Sequence, residues 1–224
     1  MALPPQLASL ALGPQTAPHV LELYIDYLCP FSAKIFFGFV EHALPLIAGA
    51  DAPFRDSVRV VLRPVPQPWH ASSTLLHEGA IAAAHLALPD AAATAAYERN
   101  AFWQASHALF KSQERWFDGA VVGKTFDGVR DEVAQVVAGA LGAASTASQA
   151  VERDVRAQTR VAEGNAGASV VPDLKYAIKI GRQNGIHVTP TALWNGVVEP
   201  GVSSSFGRSE WSAFFESHVP RAKA

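Results

Sequence analysis

A single cysteine, Cys29, occurs among the 224 residues of the chain. That excludes an internal disulfide and a zinc site built on cysteines. Charge is sparse as well: Asp, Glu, Lys and Arg make up 17% of the chain and leave a formal net charge of −2. No run of Lys and Arg occurs, so no positive field draws nucleic acid. There is no His-Glu-x-x-His pattern, and His77, His85 and His107 stand at no recognisable metal spacing. No metal is therefore expected. No apolar stretch reaches the roughly 20 residues needed to cross a bilayer, so no membrane partner is expected either. Met1 to Val20 contains no Lys or Arg, and Pro4, Pro5, Pro14 and Pro18 interrupt it. It reads neither as a secretory signal nor as a transit peptide. These absent signals imply a soluble, cytoplasmic protein, with residues 1–18 as an extended arm over the domain surface.

What is present is enough apolar sequence for a real core, 49% of the residues. Val20 to Tyr27, VLELYIDY, has the composition of a buried strand. Cys29-Pro30-Phe31-Ser32 follows, and then Ile35, Phe36, Phe39 and Val40 recur at helical spacing. Pro30 suits a first helical turn, where its missing N–H costs nothing, which puts Cys29 at or beside the N-cap. Pro45 ends or kinks this helix. Ser57 to Val65 is a second strand, so the span is a βαβ unit with parallel strands. From about Ser72 to Gln158 the periodicity is helical. Gly164 to Ser169 is a loop of small residues, and Pro172 to Asn184 a further helix. The Asn195-Gly196 pair after Leu193-Trp194 signals a two-residue hairpin. Gly207 to Glu210 opens a last helix, with Trp211, Phe214 and Phe215 inward.

Two motifs stand together in this order. Cys29-Pro30-Phe31-Ser32 lies between a strand and a helix, and Val188-Thr189-Pro190-Thr191 opens a strand before the hairpin. Together they resemble the thioredoxin superfamily, and the helical insert narrows the likeness to its DsbA-like branch. The resemblance covers nearly the whole chain from Val20 onward. It implies an α/β thioredoxin-like fold with a helical insertion. Residues 19–70 and 166–224 would form the thioredoxin-like domain, and 71–165 the inserted helical domain. It also implies a cis peptide before Pro190, facing the cysteine. One departure matters: the second cysteine of the usual Cys-x-x-Cys is Ser32. A monomer therefore has no internal resolving thiol, a pattern similar to the monothiol glutaredoxins. Tyr24 to Ser32 also looks like the kappa-class glutathione transferases and hydroxychromene carboxylate isomerases, which typically carry serine where Cys29 stands.

A lone cysteine is more often a small buried hydrophobe than a nucleophile. Here the free N–H groups of a helix start favour an anion at Cys29, and the Ser32 hydroxyl is placed to donate to a thiolate. Cys29, Ser32 and Pro190 are the candidate catalytic residues. Pro30, Phe31, Val188 and Thr189 are candidates for substrate contact, Thr189 through its backbone. In a parallel βαβ unit both strands end on the same side of the sheet, so Trp69 and His70 belong near Cys29. There Trp69 walls the cleft and His70 stabilises the thiolate or shuttles a proton, against the plainer roles of rim residue and self-bonded helix start. Ser204 and Ser205, before the last helix, are candidates for a glutathione carboxylate, against the plainer role of a cap. Asp26 reads as a structural residue of the active-site loop.

The leading expectation is a thiol-dependent oxidoreductase working through Cys29, with glutathione or a partner thiol as resolver and no tightly bound cofactor. A kappa-like glutathione transferase or isomerase is the first alternative. A non-catalytic thioredoxin-fold binding module, with a buried Cys29 and with a homodimer as one form it could take, is the second.

Overall fold

The computed structural model describes residues 3–86, 96–142 and 146–220. Parts of the expected helical stretch, 87–95 and 143–145, and the ends of the chain lie outside the described residues. Among the described residues, five strands form one sheet: β1 (Ala11–Leu12), β2 (His19–Ile25), β3 (Val58–Pro64), β4 (Thr191–Trp194) and β5 (Val197–Val198). Their spatial order is β1-β3-β2-β4-β5. β2 and β3 are parallel, in the register Leu21 opposite Val60 and Ile25 opposite Pro64. β4 runs antiparallel to β2, and β5 to β4. The hairpin between β4 and β5 turns at Asn195 and Gly196, both at positive φ (51° and 83°). Two successive residues in that region match the handedness of the flanking strands.

The alternation of β2 sends its side chains to two different environments. Leu21, Leu23 and Ile25 enter the main core, with Val60 and Leu62 of β3. α1 (Pro30–Gly38) joins this core and continues through a π-helical turn (Phe39–Ala43) into α2 (Leu44–Ile47). Pro45 sits in the first turn of α2, where it fits, so it marks a change of winding rather than a stop. α8 (Arg208–His218) closes this side of the sheet, with Trp194 edge-on to Phe214 at 5.2 Å between centroids.

The opposite face of β2 carries Glu22 and Tyr24. Arg63 Nε donates to Glu22 Oε2 at 2.7 Å, Tyr24 Oη donates to the same oxygen at 3.2 Å, and Asn184 Nδ2 donates to Tyr24 Oη at 2.7 Å. Burial, followed by the neighbouring Glu22 carboxylate, pushes the Tyr24 phenol up to about 12. α7 (Val171–Gln183) packs here; a side chain at Gly181 would meet Val65 at 3.0 Å.

The helices that follow β3 stack on one another. α3 (Ser73–His85) packs against α4 (Ala101–Lys111), α5 (Phe126–Leu141) and α6 (Thr146–Thr159). Gly79 permits the closest approach, because a Cβ there would lie 2.3 Å from Val133 Cγ1 of α5. Phe36 of α1 meets Trp103 and Phe110 of α4 at 5.8 and 5.0 Å, which fastens the helical insert to the sheet side of the molecule.

The N-terminal arm departs from the sequence reading. Pro5–Leu10 is a 3-10 helix, and β1 pairs antiparallel with β3 as a fifth strand. Leu7, Leu10 and Leu12 are fully buried, so the segment is an edge of the core rather than a surface strap. The prolines set the phi angles of the 3-10 turn, and the leucines supply the burial that holds it.

Candidate active site

The end of β2 and the start of α1 place the cysteine. Cys29 is the N-cap of α1, with extended backbone angles, and Pro30 occupies the first turn. The Cys29 N–H donates to Asp26 O at 3.0 Å, and the Ala33 N–H to Cys29 O at 3.1 Å. Cys29 is 7% exposed, and its Sγ donates to Thr189 O at 3.2 Å. The Thr189–Pro190 peptide is cis. Thr189 thus brings the loop before β4 against the thiol, as the order of the two motifs implies. The Thr189 hydroxyl is buried with no hydrogen-bond partner. Phe31 (64% exposed), Trp69 (57%) and Val188 (59%) offer apolar surface on the three segments that converge here.

Asp26 holds these segments together. Its carboxylate is fully buried and accepts four hydrogen bonds. Oδ1 takes the Leu28 N–H at 2.8 Å and the Ser73 hydroxyl at 2.6 Å, while Oδ2 takes the Gln67 N–H at 2.7 Å and faces His70 Nδ1 at 2.8 Å. One side chain therefore ties the cysteine loop, the segment after β3 and the start of α3. His70 follows the exposed Trp69, and among the described residues its Nε2 has no hydrogen-bond partner.

Ser32 is placed differently from the expectation that it serves the thiolate. It is fully buried, and its Oγ accepts the Asp26 N–H at 3.2 Å. None of the described hydrogen bonds joins it to Sγ, whose contact is Thr189 O. Ser32 braces the same loop as Asp26. The serines before α8 are also occupied locally: Ser203 Oγ accepts the Ser205 N–H at 3.2 Å, and Lys34 Nζ donates to Ser205 Oγ at 2.8 Å. Ser204 lies between them, half-buried. The Glu210 carboxylate already accepts the Gly207 N–H at 3.0 Å, so the start of α8 carries an anion of its own. That arrangement is the cap role of this turn and speaks against a glutathione carboxylate there.

Two residues at the site carry no local signal in the sequence. Gln113, after α4, donates from Nε2 to Tyr27 O at 2.8 Å and so secures the cysteine loop from the helical insert. His77, one turn into α3, is fully buried. Its Nδ1 is 2.9 Å from Ser73 O and 3.2 Å from the Ser73 hydroxyl, and its ring tilts over Tyr27 at 4.7 Å. Burial holds the His77 imidazole below its ordinary pKa of 6.5, against the opposing pull of Asp26. The folded chain therefore binds fewer protons than the unfolded chain once the pH falls below 6.5. The contribution is intact above that pH and declines beneath it, by at most about 1.4 kcal/mol per pH unit, until the folded ring itself is protonated. Urea unfolding at pH 7.5 and 5.5 checks this: His77→Gln is expected to lose less stability between the two pH values than the wild type.

No protein-family model matches the chain, and no curated protein matches it. Solved structures do. A candidate protein-disulfide isomerase from Pseudomonas syringae aligns with 24% identity and a TM-score of 0.64, over 92% of this chain and 97% of its own. BdbD from Bacillus subtilis aligns with 16% identity and a TM-score of 0.57, over 94% and 92%. DsbA from Chlamydia trachomatis gives 15% and 0.57, over 93% and 90%. The chain has a DsbA-like thioredoxin fold. The same comparisons do not show the kappa-class likeness. They also correct the cytoplasmic expectation, because neighbours with the DsbA-like fold, DsbA, BdbD and MdbA, are periplasmic or extracytoplasmic oxidoreductases. That expectation rested on missing signals alone, which carry no positive information about compartment. Among the described residues, no helix of this DsbA-like fold is long and apolar enough to cross a membrane.

Proposed function

We propose that the chain is a thiol–disulfide exchange enzyme that works with one cysteine. The observation that carries this reading is the position of Cys29 Sγ, at the start of α1 and within hydrogen-bond distance of Thr189 O. The loop before β4 offers backbone to an extended chain lying across the sulfur. Exposed Phe31, Trp69 and Val188 suit apolar side chains flanking a substrate disulfide.

In the first step the Cys29 thiolate attacks one sulfur of the substrate disulfide. A new S–S bond forms between Cys29 and that sulfur, and the other leaves as a thiolate. Ser32 has no sulfur with which to resolve the adduct, so an external thiol, glutathione or a thiol of the partner, completes the exchange. Incubation of the folded protein with oxidised glutathione tests the reading by intact mass. The expected product carries one glutathionyl group, on Cys29, removable by dithiothreitol and persistent in its absence. A protein that stays unmodified while folded would contradict it.

A further inference from the structure

The mixed disulfide on Cys29 must be opened by a thiol from solution, and such a thiol arrives mostly protonated at neutral pH. We propose that His70, oriented by Asp26, is the base that deprotonates this incoming thiol. The inference rests on the exchange reading above and adds a residue and a step to it.

Three observations carry it. First, the His70 ring has a fixed orientation. Asp26 Oδ2 faces Nδ1 at 2.8 Å, which places the Nδ1 proton toward the carboxylate and leaves the lone pair on Nε2. Second, Nε2 is unoccupied among the described residues, and the ring is neither buried nor free in solvent, with 22% of its side chain exposed beside exposed Trp69. Third, His70 is not bonded to the cysteine it accompanies. Sγ donates to Thr189 O, from the loop before β4. Among the described residues, His70 is linked to the cysteine loop through Asp26, whose Oδ1 binds the Leu28 N–H at 2.8 Å. A base that serves Cys29 directly would be expected on its sulfur. A base held one carboxylate away, with part of its ring exposed, serves the second thiol.

The external thiol gives its proton to Nε2, and its sulfur attacks the substrate sulfur of the mixed disulfide. The bond between that sulfur and Cys29 Sγ breaks, and Sγ leaves with the electron pair. The external thiol is oxidised into the product disulfide and Cys29 is reduced. The proton on Nε2 then passes to solvent or to Sγ. Among the described residues, the titratable groups facing His70 are Asp26 after β2, in direct contact, and buried His77 in α3, reached through Ser73; Gln113, which reaches the cysteine loop, is neutral.

The test uses the full chain carrying the mixed disulfide of Cys29 with 2-mercaptoethanol. Added 2-mercaptoethanol resolves it, and the return of free Cys29 is followed by mass from pH 6 to 9.5. His70→Gln and His70→Asn both keep an N–H for Asp26 and lack a titrating nitrogen, so one can stand in if the other folds poorly. The expected result is resolution slowed about tenfold to hundredfold at pH 6.5–7. The deficit should shrink as the pH rises through the pKa of the added thiol, and it should be smaller with trifluoroethanethiol, which ionises more readily. A purely structural role predicts equal slowing at every pH and with both thiols. That result, or variants resolving at the wild-type rate, overturns the inference while leaving the exchange reading standing. A wild type that forms no mixed disulfide overturns both.

Discussion

Replacing Cys29 by serine is expected to reduce disulfide exchange to the uncatalysed rate while leaving the protein folded. The oxygen is smaller, and its hydroxyl can still donate to Thr189 O, the hydrogen bond made by Sγ among the described residues. The cost in stability should therefore stay within about 1 kcal/mol, the scale of a single hydrogen bond. An alkoxide is not accessible at neutral pH and an S–O linkage is not a disulfide, so the covalent step has no substitute. The comparison to make is the rate of glutathionylation and of disulfide reduction in wild type and Cys29→Ser, beside their melting temperatures. Residual exchange by the serine variant would remove Cys29 from the mechanism, since the chain holds no other cysteine.

The second large effect falls on stability. Asp26→Ala is expected to cost about 3–5 kcal/mol, because it leaves the Leu28 N–H, Gln67 N–H, Ser73 hydroxyl and His70 ring without their acceptor in a fully buried place. In a chain of this length each kcal/mol corresponds to roughly 2–4 °C in Tm, so the expected fall is about 6–20 °C. Asp26→Asn keeps one acceptor oxygen but turns an NH2 toward donors, and it should lie between. Thermal melts of the three proteins at pH 7.5 decide the matter. A melting temperature for Asp26→Ala within a degree or two of wild type would mean that water replaces the carboxylate at no cost.

The parts of this site differ in how far a sequence exposes them, and the reason is the range over which each is determined. The hairpin is local: Asn195 and Gly196 both tolerate positive φ, and they turn the chain at that point. The N-cap position of Cys29 is equally local, because Pro30 fits a first helical turn and little else in that context. The approach of Thr189 to Cys29 spans the chain and was legible only through the order of two motifs. Gln113 has no such motif. It acts because α4 delivers it to the carbonyl of Tyr27, and that depends on the packing of Phe36 against Trp103 and Phe110. The pair of Glu22 with Arg63 had a usable signal, a carboxylate in one apolar strand and a guanidinium in the next. The Asp26 hub was legible as structural, but not the breadth of its contacts. The N-terminal arm misled because prolines suggest an extended segment, whereas Leu7, Leu10 and Leu12 decide its place by burial.

Exchange through Cys29 requires a thiol that reacts in the folded protein and is not merely a buried hydrophobe. Alkylation by iodoacetamide at pH 7, followed by intact mass in buffer and in denaturing urea, tests it most directly. The expected product is a single carbamidomethyl group on Cys29 in the native protein, added at least as fast as in the unfolded chain. Protection of the native protein, with modification only after unfolding, would contradict it and leave the DsbA-like fold as a binding module.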